Sequence, residues 1–453
     1  MLALSRPNRL SRRQLATLAT ASLLGRCAAV PHIDGLTPHE VALPRHKAKP
    51  EAPTVNDTDA LQQQYDLQRG LSASPIVFGN SVTLLPSGAD AFQAIFKAIG
   101  GARDNINLEY FVLADVQSDG MHLSDVLQDR LRAGVKVNMI YDSFGSKDTP
   151  GTFFDAMRAA GAKVVEFNPL NPLATRTGWS PNDRDHRKIT VVDGRIGFTG
   201  GVNLDKVYEN PPSAGVPADG DTSHAFWRDT AVRIEGPAVA DLQRLFFETW
   251  MHQKAPATDA ANYFPPLARQ GVQTVRIIGS SPGRSEPLYY ASLLTAARSA
   301  RRRVWLCSGY FLPPHQERKE LARIARSGID VRIIAPAFSD IQSTVYAARA
   351  AYGDLLDAGV RIYEVTDAVV HAKLAVVDDT WTMIGSSNLD RRSVVFNNEV
   401  DAVILGHDTA GQVEAVMQRY MQAARQVNLA KWNHRSLRER MRELEARIWE
   451  YWM

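Results

Sequence analysis

Two stretches of the chain place the same reactive side chains at the same spacing. The first is HRKITVVDGRIGFTGGVN, residues 186–203, and the second is HAKLAVVDDTWTMIGSSN, residues 371–388. In each copy a histidine and a lysine stand two positions apart, so both lie on one face if the segment is a strand. The polar residues common to the two copies are His186, Lys188, Asp193 and Asn203, matched by His371, Lys373, Asp378 and Asn388. A lone His-x-Lys pair is usually structural, but duplication of the whole pattern predicts one site built from two halves.

The repeated residue types favour a phosphate ligand. The two lysines supply point charges, and we expect hydrogen bonds from Asn203, Asn388 and the loop N–H groups around Gly201 and Ser387. One imidazole can then attack phosphorus while the other protonates the departing alkoxide. The covalent product is a phosphohistidine, which a second alcohol or water opens.

A metal site is the first chemical alternative, because histidine is a common metal ligand. Each histidine has a lysine on the same strand face, however, and a cation there repels a divalent ion. Neither copy offers a neighbouring carboxylate or cysteine at ligand spacing. The sequence therefore indicates neither a metal nor another cofactor.

An attacking imidazole needs a hydrogen bond at its other nitrogen, so we expect a carboxylate behind each histidine. Asp229 in WRDTAV and Glu399 in NNEVDA stand on the candidate strands that follow the two copies. Asp193 and Asp378 belong to the repeated set and are counted with the catalytic residues. They follow apolar strands at apparent turns, so we expect their main role to be structural.

The length of 453 residues predicts more than one core, and the two halves of the chain match each other. Residues 132–142 match 326–336, and residues 157–169 match 355–367, each as a glycine-ended helix followed by an apolar strand. This alternation is typical of parallel βαβ units in an α/β fold. The predicted segments are a leader at 1–30, a linker at 31–75 with a short helix near 59–68, domains at 76–265 and 266–424, and an amphipathic helix at 425–453.

The first residues resemble an export signal. Arg12 and Arg13 precede a mildly apolar run with small residues at its end, in the order of a twin-arginine leader. A basic, unstructured start is the alternative. Cys27 follows a partial lipoprotein box in which Arg26 replaces the usual small residue, so a lipid anchor on Cys27 stays open. We therefore expect export to the periplasm or cell envelope.

The charge of the chain depends on that leader. Its five arginines and absence of acids account for more than the whole formal charge of +3, which becomes −2 once residues 1–27 are removed. A body with this charge gives no support to non-specific nucleic-acid binding. We expect no nucleic-acid partner and infer no protein partner.

The C-terminal stretch, residues 431–453, is the best candidate for contact with a membrane. Leu437, Met441, Leu444 and Ile448 stand at helical spacing, and three tryptophans accompany them. Such a helix can lie in the membrane interface, which would make the protein a peripheral membrane protein. Six basic and four acidic residues leave it only weakly positive, so a helix docked on the protein body is an equal alternative.

The complete double pattern HxKxxxxDxxxxxxGxxN resembles the signature of the phospholipase D superfamily. EYFVLADVQSDG, RDHRK, FTGGVN, WRDT, YFLPP and NLDRRSVVFNNEV are similar to segments of bacterial cardiolipin synthases, over nearly all of residues 77–424. The resemblance implies two fused α/β/α sandwich domains, related by a pseudo-two-fold axis, that share one active site at their interface. It also implies that His186 is the nucleophile, His371 the general acid and base, and Glu399 the partner of the second histidine.

By the same resemblance, the expected activity is the transfer of a phosphatidyl group between two phosphatidylglycerols, with release of glycerol. Three alternatives stay open: a phospholipase D or transphosphatidylase with another acceptor, a phosphodiesterase or nuclease, and a non-enzymatic protein that binds anionic lipid. The same phosphodiester chemistry serves all the enzymes among them. The sequence does not decide between transfer and hydrolysis.

Overall fold

The computed structural model describes residues 57–71, 74–170, 180, 182–210, 222, 225–282 and 287–449. The predicted leader and the first part of the linker lie outside these residues, as does Cys27. Within the described part of the chain, no helix is both long and apolar enough to cross a membrane.

The described part of the first half begins with a helix and then alternates strands and helices. Its elements are α1 (Asp57–Gly70), β1 (Val77–Leu85), α2 (Gly88–Gly100), β2 (Asn105–Tyr110), β3 (Gln117–Ser118), β4 (Met121–His122), α3 (Leu123–Arg132), β5 (Lys136–Asp142), α4 (Gly151–Ala159), β6 (Lys163–Phe167), β7 (Arg184–Asp185), β8 (Lys188–Val192), β9 (Ile196–Gly200), β10 (Trp227–Arg228), β11 (Ala231–Glu235) and α5 (Val239–His252).

The second half repeats this order and adds short C-terminal elements. They are β12 (Gln273–Ser280), α6 (Leu288–Arg298), β13 (Arg303–Cys307), α7 (His315–Arg326), β14 (Asp330–Pro336), α8 (Gln342–Ala350), α9 (Tyr352–Asp357), β15 (Arg361–Val365), β16 (Val369–Val370), β17 (Leu374–Val377), β18 (Trp381–Gly385), α10 (Arg391–Val395), β19 (Asn397–Leu405), α11 (His407–Gln422), β20 (Ala424–Gln426), α12 (Leu429–Asn433) and α13 (Leu437–Trp449).

One large sheet runs through both halves, and its strand order shows the pseudo-two-fold. From the centre outward the first half reads β1, β11, β9, β8, β2, β5, β6, and the second reads β12, β19, β18, β17, β13, β14, β15. The two orders match position by position and meet where β1 pairs antiparallel with β12. This arrangement confirms the α/β class and the two matching halves.

The sheet is mixed, and the parallel units predicted from the helix–strand alternation form only part of it. β2, β5 and β6 are parallel, as are β13, β14 and β15. The strands that carry the repeated motifs, β8 and β17, instead run antiparallel to β2 and β13. Only the helix-linked units are parallel, because an antiparallel neighbour needs no crossover helix.

The halves share a hydrophobic core on one side of the sheet. One buried cluster combines Ile189, Val232 and Leu242 of the first half with Val376 and Ile404 of the second. Burial of apolar side chains from both halves stabilises their association, since each buried CH₂ group contributes about 0.8 kcal/mol. The site at their junction therefore stands on a packed interface.

The helix predicted near residues 59–68 is present as α1, but it is not part of a free linker. Gln64 Nε2 donates to Ser299 Oγ at 2.9 Å, and Gln68 Nε2 donates to the carbonyl of Ser292. Both acceptors belong to α6 or its C-terminal cap in the second half. These buried side-chain bonds attach α1 to that half.

The C-terminal helix α13 is docked on the body. Arg442 Nη1 donates to Tyr346 Oη of α8 at 3.2 Å, and Ala446 is buried. Leu437 and Met441, near the other end of α13, remain exposed at 75% and 63%. The helix therefore packs on the protein by one face while these two apolar side chains face outward.

Candidate active site

The repeated motifs lie where the parallel strands of each half end. Lys188 of β8 is paired with Tyr110, the last residue of β2. Leu374 of β17 is paired with Cys307, the last residue of β13. Both histidines therefore lie at the carboxyl edge of the parallel strands, where α/β proteins commonly place their sites.

Each histidine is held by the backbone of the opposite half. β7 pairs with the start of β19, and the N–H of His186 donates to the carbonyl of Asn398 at 2.9 Å. β10 pairs with β16, and the N–H of His371 donates to the carbonyl of Arg228 at 2.9 Å. The two short strand pairs bring one motif from each half to a common interface.

The carboxylates behind the histidines also come from the opposite half. His186 Nδ1 lies 2.9 Å from Glu399 Oε2, and His371 Nδ1 lies 2.7 Å from Asp229 Oδ2. We refer to His186–Glu399 and His371–Asp229 as the crossed pairs. Asp229 and Glu399 were predicted as the histidine partners, but the expectation that Glu399 serves the second histidine was wrong. Each carboxylate follows its own motif in the chain, yet its strand segment lies beside the other motif.

Further side chains that the sequence patterns did not indicate hold the two carboxylates. Glu399 accepts hydrogen bonds from Ser386 Oγ and, at 3.0 Å, from Asn397 Nδ2. Tyr208 Oη donates to Asp229 Oδ2 at 2.9 Å and lies 3.0 Å from His371 Nδ1. In the second copy of the motif, Ser386 stands where the first copy has Gly201. This difference was the one sequence signal for its role. Tyr208 lies beyond the repeated pattern and carried none.

The two lysines are enclosed and directed at the histidines. Lys188 Nζ donates to the carbonyl of His186 at 2.6 Å, and Lys373 Nζ donates to the carbonyl of His371. Burial lowers the pKa of Lys188 to about 7 and that of Lys373 to about 8. A phosphate anion would favour their charged forms, because an opposite charge nearby stabilises an ammonium group.

The crossed pairs differ in their electrostatics. Burial and the charges of both lysines hold the pKa of His186 well below its usual value, and burial raises the pKa of Glu399 to about 7. For Asp229, burial acts to raise the pKa, but the hydrogen bond and charge of His371 outweigh it and keep the pKa below the usual value. Burial and Lys373 lower the pKa of His371, whereas Asp229 opposes this shift. His186 is thus the more strongly neutral histidine, and His371 faces an ionised carboxylate.

The asparagines and the neighbouring loop residues differ in their availability. Asn203 Oδ1 accepts the N–H of Val112 at 3.2 Å, which orients the amide and leaves its NH₂ group as a donor. Asn388 is buried 97%, and its N–H donates to Ser393 Oγ. The Asn203 amide is therefore held in a fixed orientation, and Asn388 is enclosed in the interior.

The expected role of the loop N–H groups was wrong. The N–H of Gly201 donates to the carbonyl of Thr230 at 3.0 Å, and the N–H of Ser387 donates to Asp401 Oδ1 at 3.3 Å. A Cβ atom on Gly201 would lie 2.1 Å from Asp229 Oδ1. Gly201 therefore makes room for a histidine partner, and Ser387 binds a buried carboxylate.

Asp193 and Asp378 stabilise turns. Asp193 accepts the N–H groups of residues 103–105, and Asp378 accepts those of residues 301–303. Both adopt positive φ, 52° and 50°. Their carboxylates bind backbone at the far ends of β8 and β17, which agrees with the structural role expected for them. The equivalent contacts in the two halves explain why the motif repeats the aspartate.

Comparison with known proteins identifies a family. Residues 95–209 and 293–421 match the PLD-like domain of cardiolipin synthase. The chain is 31% identical over 381 residues to a cardiolipin synthase of Geobacillus kaustophilus, covering 83% of this chain and 72% of the relative. It is 30% identical over 385 residues to cardiolipin synthase 2 of Bacillus anthracis, again covering 83% and 72%.

A solved structure has the same fold. The phosphatidylserine synthase of Haemophilus influenzae superposes with a TM-score of 0.61 at 13% identity, covering 86% of this chain and 98% of that one. At this identity the match concerns the fold alone. The duplicated domain match and the sequence relatives show that the chain belongs to the phospholipase D-like family of the cardiolipin synthases.

Proposed function

We propose that the protein is a phosphatidyltransferase that makes cardiolipin from two phosphatidylglycerols and releases glycerol. The observation that carries the proposal is the pair of buried histidines, each hydrogen-bonded through Nδ1 to a carboxylate of the opposite half. One histidine is neutral and suited to attack, and the other is placed beside an ionised carboxylate and suited to carry a proton. The names of the sequence relatives support the choice of substrate.

His186 is the nucleophile. Its Nδ1–H donates to Glu399, which leaves the lone pair on Nε2 for attack at phosphorus. Phe111 packs edge-on against the imidazole, with ring centroids 5.2 Å apart, and limits its rotation. Attack forms the P–Nε2 bond and breaks the bond between phosphorus and the glycerol oxygen.

His371 moves the proton. The charges of Asp229 and of a bound phosphate favour the imidazolium form of His371 against the effect of burial, and in this form it protonates the leaving glycerol oxygen, so that neutral glycerol departs. It then accepts the proton of the acceptor hydroxyl as that oxygen attacks phosphorus and the P–Nε2 bond breaks. The cycle returns both histidines to their starting protonation states.

Charge stabilisation comes from the lysines and asparagines. Lys188 and Lys373 are almost completely enclosed, and a charge interacts more strongly with a phosphate where water is excluded. The Asn203 amide adds a neutral donor oriented by its bond to Val112. These groups bind the negative charge that grows on the five-coordinate phosphorus.

We also propose that the protein is exported and contacts the membrane peripherally. The basic leader supports export, and the exposed Leu437 and Met441 of α13 support a weak interfacial contact. A lipid on Cys27 would add a second anchor. Mass measurement of the mature protein from the cell envelope would distinguish cleavage, lipidation and retention of the leader.

The activity is tested with purified protein and phosphatidylglycerol vesicles, with products separated by mass. Equimolar cardiolipin and glycerol would support the proposal. Phosphatidic acid without cardiolipin would make the protein a hydrolase, and no lipid turnover would overturn the proposal. Chelator is included throughout, since no step requires a metal.

The nucleophile is tested by acid quench with phosphatidylglycerol labelled in its phosphatidyl group. A labelled enzyme should form in the parent protein and be lost in His186→Asn. Persistence of the label in that variant would move the nucleophile to His371.

A further inference from the structure

Arg184, two residues before the nucleophile, carries unused hydrogen-bond donors in the interior. The residue is 4% exposed, and its Nη1 donates to Ser143 Oγ at 3.1 Å. Among the residues that the structure describes, its Nε and Nη2 are enclosed and meet no hydrogen-bond partner. Burying a donor without an acceptor costs about 1–3 kcal/mol, and more for a charged group. A guanidinium in this state is suited to an anionic ligand.

The nearest carboxylate does not satisfy Arg184. Asp142 Oδ1 lies 3.5 Å from Arg184 Nη1, on the side of the guanidinium already used by Ser143. The Asp142 carboxylate accepts the N–H groups of Phe144, Gly145 and Asp185 at 2.8–3.0 Å. Because these three bonds occupy most of its lone pairs, Asp142 orients the arginine without reaching Nε or Nη2.

A second guanidinium from the opposite half approaches the same place. Arg392 of α10 donates through Nη2 to the carbonyl of Asn182, two residues before Arg184. Burial lowers the pKa of Arg392, and the charge of Arg184 lowers it further. The charge of Arg392 also reaches His186. The charge of Arg392, from the second half, therefore acts on both Arg184 and the nucleophile, in addition to the charges of the two lysines.

Several acids also face this region, so the cations are partly balanced. Asp390 and Glu399 act on Arg392, and Asp142 acts on both arginines. The charges of Arg184 and Arg392 act on Asp183, whose pKa is raised by burial. The balance reduces the cost of holding two guanidinium groups together. It leaves the unpartnered Nε and Nη2 of Arg184 as the donors for a ligand.

The position of Arg184 matches the chemistry of the second substrate. Arg184 and His186 share one face of an extended segment and are two residues apart, which corresponds to roughly 7 Å. In cardiolipin, one extended glycerol bridge separates two phosphates by a comparable distance. A phosphate bound at Arg184 would therefore place the hydroxyl of its own glycerol near the phosphorus held at His186.

We propose that Arg184, assisted by Arg392, binds the phosphodiester of the acceptor lipid while the lysines bind the phosphate being transferred. This inference rests on the proposed phosphatidyl transfer and adds a binding site for its second substrate. The planar guanidinium can offer two N–H groups to two phosphate oxygens, which fixes orientation as well as position. Ordering the acceptor hydroxyl in this way favours transfer over attack by water.

The test compares three acceptors with phosphatidylglycerol as donor. Deuterated glycerol carries the acceptor hydroxyls without a phosphate, glycerol 3-phosphate adds a phosphate without acyl chains, and phosphatidylglycerol carries both. In Arg184→Gln the ratio of cardiolipin formation to glycerol exchange should fall roughly tenfold to a hundredfold. The ratio of transfer to glycerol 3-phosphate over glycerol exchange should fall as well. Arg392→Gln should lower both ratios.

Controls separate binding from folding. Arg184→Lys keeps the positive charge but lacks the planar guanidinium with its two paired N–H donors. Its ratios should therefore lie between those of the parent and Arg184→Gln. Arg326→Gln, at an exposed position at the end of α7, should leave the ratios unchanged. Thermal midpoints are measured for every variant, and the use of ratios corrects for loss of folded protein.

The outcomes distinguish this inference from the function on which it rests. If the parent protein transfers to no acceptor, the proposed function fails and the acceptor site fails with it. If the parent makes cardiolipin but Arg184→Gln lowers all three reactions equally, or changes none, the acceptor site alone is overturned. A drop for phosphatidylglycerol without one for glycerol 3-phosphate would also overturn it, because Arg184 would then respond to the acyl chains.

Discussion

Glu399→Gln replaces the carboxylate of one crossed pair with an amide of the same shape. Oε1 of Glu399 accepts from Asn397 Nδ2 at 3.0 Å, so an NH₂ group in that place would face another donor. Ser386 Oγ donates to Oε2, but a hydroxyl can turn and accept instead, whereas the Asn397 NH₂ group can only donate, so the amide nitrogen should occupy the place of Oε2, which lies 2.9 Å from His186 Nδ1. There it donates to Nδ1, and the hydrogen of the neutral imidazole moves to Nε2.

This tautomer disables the proposed nucleophile, because the lone pair of His186 then points at the amide instead of at phosphorus. Exchanging a carboxylate for a carboxamide behind a catalytic histidine costs on the order of 10⁴ in rate where the tautomer reverses. We expect turnover of Glu399→Gln to fall by about 10³ to 10⁴, equivalent to about 4–5.5 kcal/mol in the activation free energy. The side chain keeps its volume, so the core should keep its packing.

The assay follows cardiolipin formation from phosphatidylglycerol vesicles, together with the thermal midpoint of each variant. Asp401→Asn is the matched control, because Asp401 is buried two residues further along β19 and its bonds go to Ser387. It should retain activity within a few-fold of the parent. A Glu399→Gln rate within tenfold of the parent would refute the tautomer argument, and an equal loss in both variants would indicate damage to the strand.

Three further results are expected. Gly201→Ala should lower turnover about a hundredfold and the free energy of unfolding by about 1–3 kcal/mol, because its Cβ would lie 2.1 Å from Asp229 Oδ1. Product formation and urea unfolding measure the two effects. Asp193→Ala should lower the free energy of unfolding by about 2–4 kcal/mol but change kcat of the folded enzyme little, because its carboxylate binds three backbone N–H groups. The pH profile of kcat/KM should be bell-shaped: acid protonates Glu399, whose pKa burial raises to about 7, and alkali removes the His371 proton and the charges of Lys188 and Lys373, whose pKa values burial lowers to about 7 and about 8.

Each of these results has a contrary outcome. Gly411→Ala, on the exposed side of α11 with open space around it, should stabilise the protein by up to about 1 kcal/mol and leave turnover unchanged. If Gly201→Ala behaves in the same way, the close approach to Asp229 has no consequence. Loss of turnover in Asp193→Ala at an unchanged unfolding free energy would assign that aspartate to the chemistry. A flat profile from pH 6 to 9 would contradict the assigned titrations.

Much of the site was predictable because it is encoded by spacing within single segments. The alternation of His186 and Lys188 on a strand, and its exact counterpart at His371 and Lys373, required no knowledge of the fold. The helix–strand alternation predicted the two matching halves, since apolar periodicity and glycine at helix ends are local properties. The turn role expected for Asp193 also follows from its local position after an apolar strand.

The tertiary structure alone decided which groups meet across the halves. Glu399 lies beside His186 instead of the histidine of its own motif, because β7 pairs with β19 across the pseudo-two-fold. The unpartnered donors of Arg184 and the contact of Tyr208 with Asp229 likewise arise between distant segments. Residue types and spacings within one segment determine its local conformation and which reactive side chains it carries. Contacts between segments depend on how the whole chain packs. The sequence by itself therefore determined which reactive residue types the chain repeats and at what spacing, and the association of the halves decided which histidine each carboxylate contacts.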